Sequence, residues 1–181
     1  LGLPVGDPGS PSLAGTLAVD DSAQLSIVDE SFDVVVSDSQ PRDIVVEGEL
    51  IRAVFSNRGA RLVSWQLKNF TDDNGNPVEL VPPEVAPDQA WPFGLRIPDD
   101  PLITARLESA LFRPSAERVQ LTADSAMLTF EYEDSSGLQA RKLFTFQSSL
   151  AEPYVVGFGA SVTTPDGALP VVMQWGPALG G

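Results

Sequence analysis

The stretch AVFSNRGARLVSWQLKNF, residues 53–70, decides the fold class of this chain. Two strand-like runs lie on either side of a polar hinge at residues 57–59. In the second run Val63, Trp65 and Leu67 alternate with polar residues, which is the period of a strand with one buried face. The stretch therefore predicts two antiparallel strands whose apolar faces pack against a core.

Later runs of the sequence repeat this pattern of short strands separated by turn signals. The runs are AMLTFEYED (residues 126–134), LQARKLFTFQ (138–147), PYVVGFGASVT (153–163) and LPVVMQW (169–175). The turns DSSG and TPDG between them supply Pro, Asp and Gly, which tight reversals require. We therefore expect hairpins within an all-β, antiparallel β-sandwich, and no long amphipathic helix.

Two regions carry a weaker strand signal. Residues 81–101 are so rich in proline that we expect a long surface excursion in which only FGLRI (residues 93–97) can pair. The stretch ESALFRPSAERVQL (108–121) alternates poorly and is interpreted as irregular strand and loop. Neither region indicates a helix.

The N-terminal 43 residues have a different composition from the rest. Pro, Gly and Ser are frequent there, and eight acidic residues stand against the single Arg42, which gives this segment half of the net charge of −14. We predict a flexible acidic linker over residues 1–43, with an edge strand at FDVVV (32–36) as an alternative, and one β-sandwich domain over residues 44–181.

Composition excludes several classes of function. The chain has no cysteine and no histidine, so it lacks thiol nucleophiles, the commonest general base and the commonest zinc ligand. Its charge of −14 disfavours binding to nucleic acid and to anionic lipids. No apolar run reaches the roughly 18 residues that span a bilayer, so we expect the chain as given to be soluble.

Two kinds of side chain are candidates for chemistry. The acidic pairs at residues 72–73 and 99–100 could form a carboxylate site, but their turn positions favour solvated turn residues. The three tryptophans and nearby phenylalanines could line a sugar-binding cleft, but core packing is the simpler interpretation, with Trp91 as the exception between prolines. We therefore predict no catalytic, cofactor-binding or metal-binding residue, no cofactor, and no enzyme.

The order of several motifs resembles the large periplasmic domain of the YidC membrane protein insertases. The motifs are NRGA at residues 57–60, SGLQARKLFTF at 136–146 and WGPALG at 175–180, and the resemblance extends from about residue 44 to residue 180. It implies a β-supersandwich similar to the galactose mutarotase fold. It also implies that the hinge is structural, with Asn57 and Gly59 in left-handed geometry and Arg58 pointing outward.

The resemblance further implies a location and partners. The parent protein would be embedded in the bacterial inner membrane with this domain in the periplasm. Sec translocon components and nascent membrane proteins would be its partners, and the domain would support insertion as a non-catalytic docking module. The alternative, drawn from the mutarotase-like fold, is a carbohydrate-binding β-sandwich module.

The resemblance also carries an expectation about association. In the family the domain continues through further strands beyond the WGP motif, whereas this sequence ends at Gly181. Uncovered strand edges or apolar faces promote self-association. We therefore expect either dimers formed through such an edge or a looser C-terminal hairpin.

Overall fold

The strands and the helix of this chain follow the alternation and turn signals of its sequence. A computed structural model of the protein describes residue 2 and residues 33–86, 89–122, 125–147 and 154–176. Most of the predicted acidic linker therefore lies outside the described residues. Within them the strands are β1 (Val34–Val36), β2 (Asp43–Glu47), β3 (Ile51–Ser56), β4 (Arg61–Thr71), β5 (Pro77–Glu79), β6 (Gly94–Arg96), β7 (Arg113–Pro114), β8 (Arg118–Gln120), β9 (Ala126–Asp134), β10 (Gln139–Phe146), β11 (Val156–Thr164), β12 (Gly167–Ala168) and β13 (Val172–Gln174), and the helix is α1 (Pro101–Ser109).

Two larger sheets form the body of the fold. The first sheet has the order β1-β9-β10-β11-β12, with β7 also paired to β9, and the second sheet has the order β5-β4-β3-β2-β8. All of these pairings are antiparallel except that of β2 with β8. The predicted all-β sandwich is confirmed.

The core lies between these two sheets. Phe55 of β3 lies 4.6 Å from Phe144 and 6.0 Å from Phe130 of the first sheet, measured between ring centroids. All three rings are fully buried, so the inward phases of β3, β9 and β10 meet across the sandwich. Burial of large aromatic side chains is the main stabilising contribution at this layer.

The turn signals act as the sequence predicts. Gly137 of DSSG and Gly167 of TPDG both have positive φ, at 81° and 130°. The first turn connects β9 to β10, and the second connects β11 to the short strand β12. The strand that follows does not continue this hairpin, because β13 pairs with β6 in a separate two-stranded sheet.

The register between β3 and β4 differs from the simple alternation. Val54 lies opposite Ser64 but Phe55 lies opposite Leu62, so Val63 is an extra residue in a β-bulge. The bulge reverses the phase, so that Leu62 is buried and Val63 is only half-buried. The prediction that Val63 shares the buried face with Trp65 was therefore wrong.

The proline-rich region is more than a surface excursion. Its FGLRI segment contains β6, and no other described residue of the region lies in a strand, as predicted. However, Val81, Phe93, Leu95 and Ile97 are at least 95% buried, so the region contributes to the core. Helix α1 follows it, with the Asp100 carboxylate accepting a hydrogen bond from Ile103 N as N-cap.

The positive φ angles that reverse the chain at the hinge belong to Gly59 and Ala60, rather than to Asn57 and Gly59 as expected. Positive φ occurs at Gly59 (66°) and Ala60 (45°), and Asn57 is not among the residues with positive φ. Asn57 is instead completely buried. The left-handed geometry predicted for Asn57 was wrong, whereas that for Gly59 is confirmed.

Candidate functional site

An apolar groove of about 580 Å³ opens beside the main core. Its floor consists of Leu62 and Trp65 of β4 together with Phe93, all at least 93% buried. The floor is thus a continuation of the sandwich interior. The groove is where that interior reaches the surface.

Four large side chains form the open rim of this groove. Phe70 is 52% exposed, Trp175 49%, and Tyr154 and Met173 40% each. Phe70 contacts Tyr154 with ring centroids 6.2 Å apart, and Trp175 contacts Phe93 at 5.2 Å. Half-exposed aromatic and methionine side chains grouped around a concave apolar surface are typical of binding sites rather than of ordinary surface.

The topology explains why this apolar surface stays open. Strand β4 has eleven residues, but its pairing with β3 ends at Leu67, so Phe70 extends past the end of its neighbour. On the opposite side β13 leaves the main sheets to pair with β6, which carries Met173 and Trp175 to the rim. Among the described lining residues, the polar side-chain groups are the hydroxyl of Tyr154 and the indole N–H groups of Trp65 and Trp175, and none of these residues is charged. The groove can therefore bind apolar surface but offers no acid–base pair.

The buried side chain of Asn57 stabilises the hinge that connects β3 and β4 of the second sheet. Its Oδ1 accepts a hydrogen bond from Arg42 N at 2.9 Å, and its Nδ2 donates to Asp38 Oδ2 at 3.0 Å and Gln40 O at 2.8 Å. Its backbone oxygen accepts from Phe112 N at 2.9 Å. The side chain thus ties residues 38–42 to the β3–β4 turn, and buried polar groups with all partners present make such turns rigid.

A buried charge connects the same hinge to the first sheet. Lys142 lies on the inward phase of β10, is 1% exposed, and its Nζ donates to the carbonyl oxygens of Gly59 (2.6 Å), Phe93 (2.7 Å) and Ala60 (3.1 Å). Burial, followed by the charge of Arg61, lowers the pKa of Lys142 to about 7, while a carboxylate on α1 acts in the opposite direction. The ammonium has three acceptors and so is satisfied without a carboxylate.

The acidic pairs at residues 72–73 and 99–100 lie in or next to turns, as the sequence analysis favours. Asp72 is exposed and its carboxylate accepts from Asn74 N and Asn76 N, and these backbone hydrogen bonds, that of Asn76 first, hold the pKa of Asp72 below its usual value. Asp100 caps helix α1. Within the described ranges, no three potential metal-ligating side chains gather into a metal site.

The aromatic residues divide between core and groove. Trp65, Phe93, Phe144 and Phe146 are buried as predicted, whereas Trp175 is half-exposed at the groove rim. Trp91, predicted as a surface contact, packs partly against the core and lies beneath the Arg61 guanidinium, 4.7 Å from ring centroid to Cζ.

A stretch covering most of this chain matches the model of a known family. The family model described as the YidC periplasmic domain matches residues 43–173. This chain belongs to the YidC periplasmic domain family. The match covers both main sheets apart from β1, and it includes Lys142 and most of the groove.

Two relatives of this YidC periplasmic domain carry the name membrane protein insertase YidC. The protein of Syntrophus aciditrophicus (strain SB) is 28% identical over 110 residues, which cover 58% of this chain and 20% of the relative. The protein of Endomicrobium trichonymphae is 28% identical over 138 residues, which cover 76% of this chain and 21% of the relative. The aligned regions thus span about a fifth of the length of these relatives.

The groove of this YidC periplasmic domain was not predicted from the sequence. Its residues come from β4, β11 and β13 and from positions next to β5, β6, β11 and β13, and only the assembled sheets bring them together. In the described part of the chain, no helix has the length and apolarity that crossing a bilayer requires.

Proposed function

We propose that this chain is the periplasmic part of an inner-membrane insertase and acts as a non-catalytic docking surface during membrane protein insertion. The observation that carries this proposal is the open groove, whose half-exposed rim residues surround a buried apolar floor. Burial of apolar surface is the main favourable contribution to most protein–protein association. Family membership supports the link to insertion.

The partners we propose are Sec translocon components and nascent membrane-protein segments. Both present apolar surface, and a nascent segment must stay protected from water until it enters the bilayer. Because the described lining residues of the groove carry no charge, such a segment can leave again without breaking a buried ion pair with them.

A carbohydrate-binding role has weaker support. Sugar ligands are held by several polar side chains in addition to an aromatic platform, because each hydroxyl group that loses water needs a new hydrogen-bond partner. The described lining side chains of the groove offer only the Tyr154 hydroxyl and the indole N–H groups of Trp65 and Trp175, and no carboxylate, carboxamide or basic group. We expect no saturable change in tryptophan fluorescence on titration with saccharides.

Site-specific photo-crosslinking in the parent reading frame tests the docking role. A photoreactive phenylalanine analogue at Phe70 or Trp175 should form adducts with translocon subunits or nascent membrane proteins in cells. The same analogue at Met127 is the matched control, because Met127 is 66% exposed and does not line the groove. Equal adduct yields from all three positions, or no adducts with such partners, would contradict the proposal.

A further inference from the structure

A second cavity, of about 180 Å³, lies between the start of β4, the loop before β6 and helix α1. It shares no lining residue with the apolar groove. Arg61, Lys142, Gln174 and Glu108 contribute polar groups to its wall, and the remainder includes apolar side chains such as Val85 and Leu107. The cavity thus combines a charged end with an aliphatic wall.

Arg61 is the group in this cavity with an unused donor. Its Nε is buried and has no hydrogen-bond partner, while its guanidinium lies over the Trp91 ring at 4.7 Å. The ion pairs formed by the described residues do not include Arg61. A buried N–H without an acceptor is costly, and buried groups of this kind are normally hydrogen-bonded.

Positive charge predominates around the cavity although the protein as a whole is acidic. Arg61 and Lys142 both line it, Arg58 lies close enough to act on Arg61, and Glu108 is the one carboxylate among the described lining residues. Burial and then the charge of Arg58 lower the pKa of Arg61, while Glu108 acts to raise it. An anion placed beside Arg61 would relieve the repulsion between the two guanidinium groups.

Gln174 supplies a second polar group without a partner. Its Oε1 is buried and accepts no hydrogen bond. A carboxamide that turns over presents its NH₂ group in place of this oxygen and then donates to an anion. The cavity thus offers two potential donors to an anion. They are Arg61 on β4 and Gln174 on β13, which both line its wall.

We propose that this cavity binds the carboxylate of a short aliphatic acid, with Arg61 as the anchoring cation. A carboxylate matches the edge of a guanidinium through two parallel hydrogen bonds. The aliphatic wall suits the alkyl chain that follows, whereas the remaining oxygens of a phosphate would face apolar side chains without partners. The carboxylate comes from a free small acid or from a glutamate side chain of a bound peptide.

Titration followed by NMR of the Arg61 Nε–H and Trp91 indole N–H signals tests this proposal on the 181-residue chain. Butyrate should shift both signals saturably, with a Kd on the order of 1–10 mM for a half-buried ion pair. A short peptide with blocked ends and one glutamate tests the second source of the carboxylate. Saturable shifts with this peptide at lower concentration than with butyrate indicate a glutamate side chain, and tighter binding of butyrate indicates a free small acid. Phosphate and butyramide at matched ionic strength should cause no saturable shift.

Variants make the assignment specific. Arg61→Gln should weaken butyrate binding roughly tenfold or more, whereas Arg113→Gln, on an exposed arginine paired with Glu131, should leave the Kd unchanged. Gln174→Glu places a carboxylate of the chain itself at the site, so it should raise the Tm and abolish butyrate binding. Absence of saturable butyrate shifts, equal shifts with phosphate, or full binding by the Gln174→Glu variant would overturn the proposal.

Discussion

The ammonium nitrogen of Lys142 lies 2.6 Å from the carbonyl oxygen of Gly59, so a buried charge joins the middle of β10 to the hinge between β3 and β4. The same nitrogen reaches the carbonyl oxygen of Phe93, next to β6. One side chain therefore fixes the first sheet, the second sheet and the small sheet relative to each other.

Replacing Lys142 with methionine should lower the free energy of unfolding by roughly 2–4 kcal/mol, because three carbonyl oxygens lose their donor while the volume is kept. Urea denaturation measures this difference. Lys68→Met is the matched control, since Lys68 is half-exposed and pairs with Glu47; it should cost less than about 1 kcal/mol. Equal losses for the two variants would contradict the structural role of Lys142.

Lys142 also predicts how stability depends on pH. Its folded-state pKa of about 7 lies below its ordinary value of 10.5. Between these values the unfolded chain holds a proton that the folded chain has released, so the free energy of unfolding should rise with pH from about 7 to 10. Below about pH 7 lysine is protonated in both states and contributes no slope.

The Lys142→Met variant should lose this rise. Measurements should stay below pH 10, because burial and then the charge of Asp134 raise the pKa of Tyr132 to about 12, which makes stability fall at higher pH. A parallel pH dependence in the wild-type chain and in Lys142→Met would show that another group causes the rise.

Asp134→Asn should destabilise the β9–β10 turn. Burial acts to raise the pKa of Asp134, but hydrogen bonds from Ser136 and then the charge of Arg106 outweigh it and lower the pKa. Its contribution is present above the ordinary value of 3.8 and is lost as the pH falls through the folded value. We expect a loss of about 1–3 kcal/mol near neutral pH and a shallower acid transition. Asp73→Asn, in an exposed turn, is the control. It should change neither the free energy of unfolding nor the acid transition.

Asn57→Ala removes the side chain that holds residues 38–42 against the hinge. One donor, Arg42 N, and two acceptors, Asp38 Oδ2 and Gln40 O, lose their partner, so the unfolding free energy should fall by roughly 2–3 kcal/mol. Hydrogen exchange at Arg42 N should also become faster. Asn69→Ala, on an exposed residue of β4, provides the comparison. If exchange at Arg42 stays unchanged in Asn57→Ala, the hinge does not depend on this side chain.

The open groove predicts self-association of the isolated chain. Sedimentation velocity should show mass increasing with concentration, because the rim exposes several large apolar side chains. Phe70→Ser combined with Trp175→Ser should shift the chain toward monomer. Leu102→Ser should have no effect, although Leu102 is 78% exposed on helix α1. A wild-type chain that stays monomeric at high concentration would exclude this association.

Local signals in the sequence predicted the elements that depend on local structure. The DSSG turn, with Gly137 at positive φ, fixed the β9–β10 hairpin, and the alternation of β10 predicted its buried phenylalanines. The same alternation places Lys142 on the buried phase of β10. Helix α1 was missed although Asp100 and Pro101 form an N-cap and first-turn pair, because only Leu107 of this helix is buried.

Features that depend on contacts distant in sequence could not be predicted in this way. The bulge at Val63 arises from pairing with β3, and no composition signal marks it. The groove needs β13 to pair with β6, which is about eighty residues earlier in the chain. Trp175 is apolar and strand-associated, so its sequence suggested the core, although the assembled topology leaves it at the rim.

We propose that the groove is what this domain contributes to membrane protein insertion. Co-purification of translocon and nascent membrane-protein partners with the parent protein, compared between wild type and the Phe70→Ser, Trp175→Ser double variant, tests it most directly. We expect partner recovery to fall several-fold in the double variant and to be retained in Met127→Ser, with the Tm unchanged in both. Unchanged recovery in the folded double variant would contradict the claim.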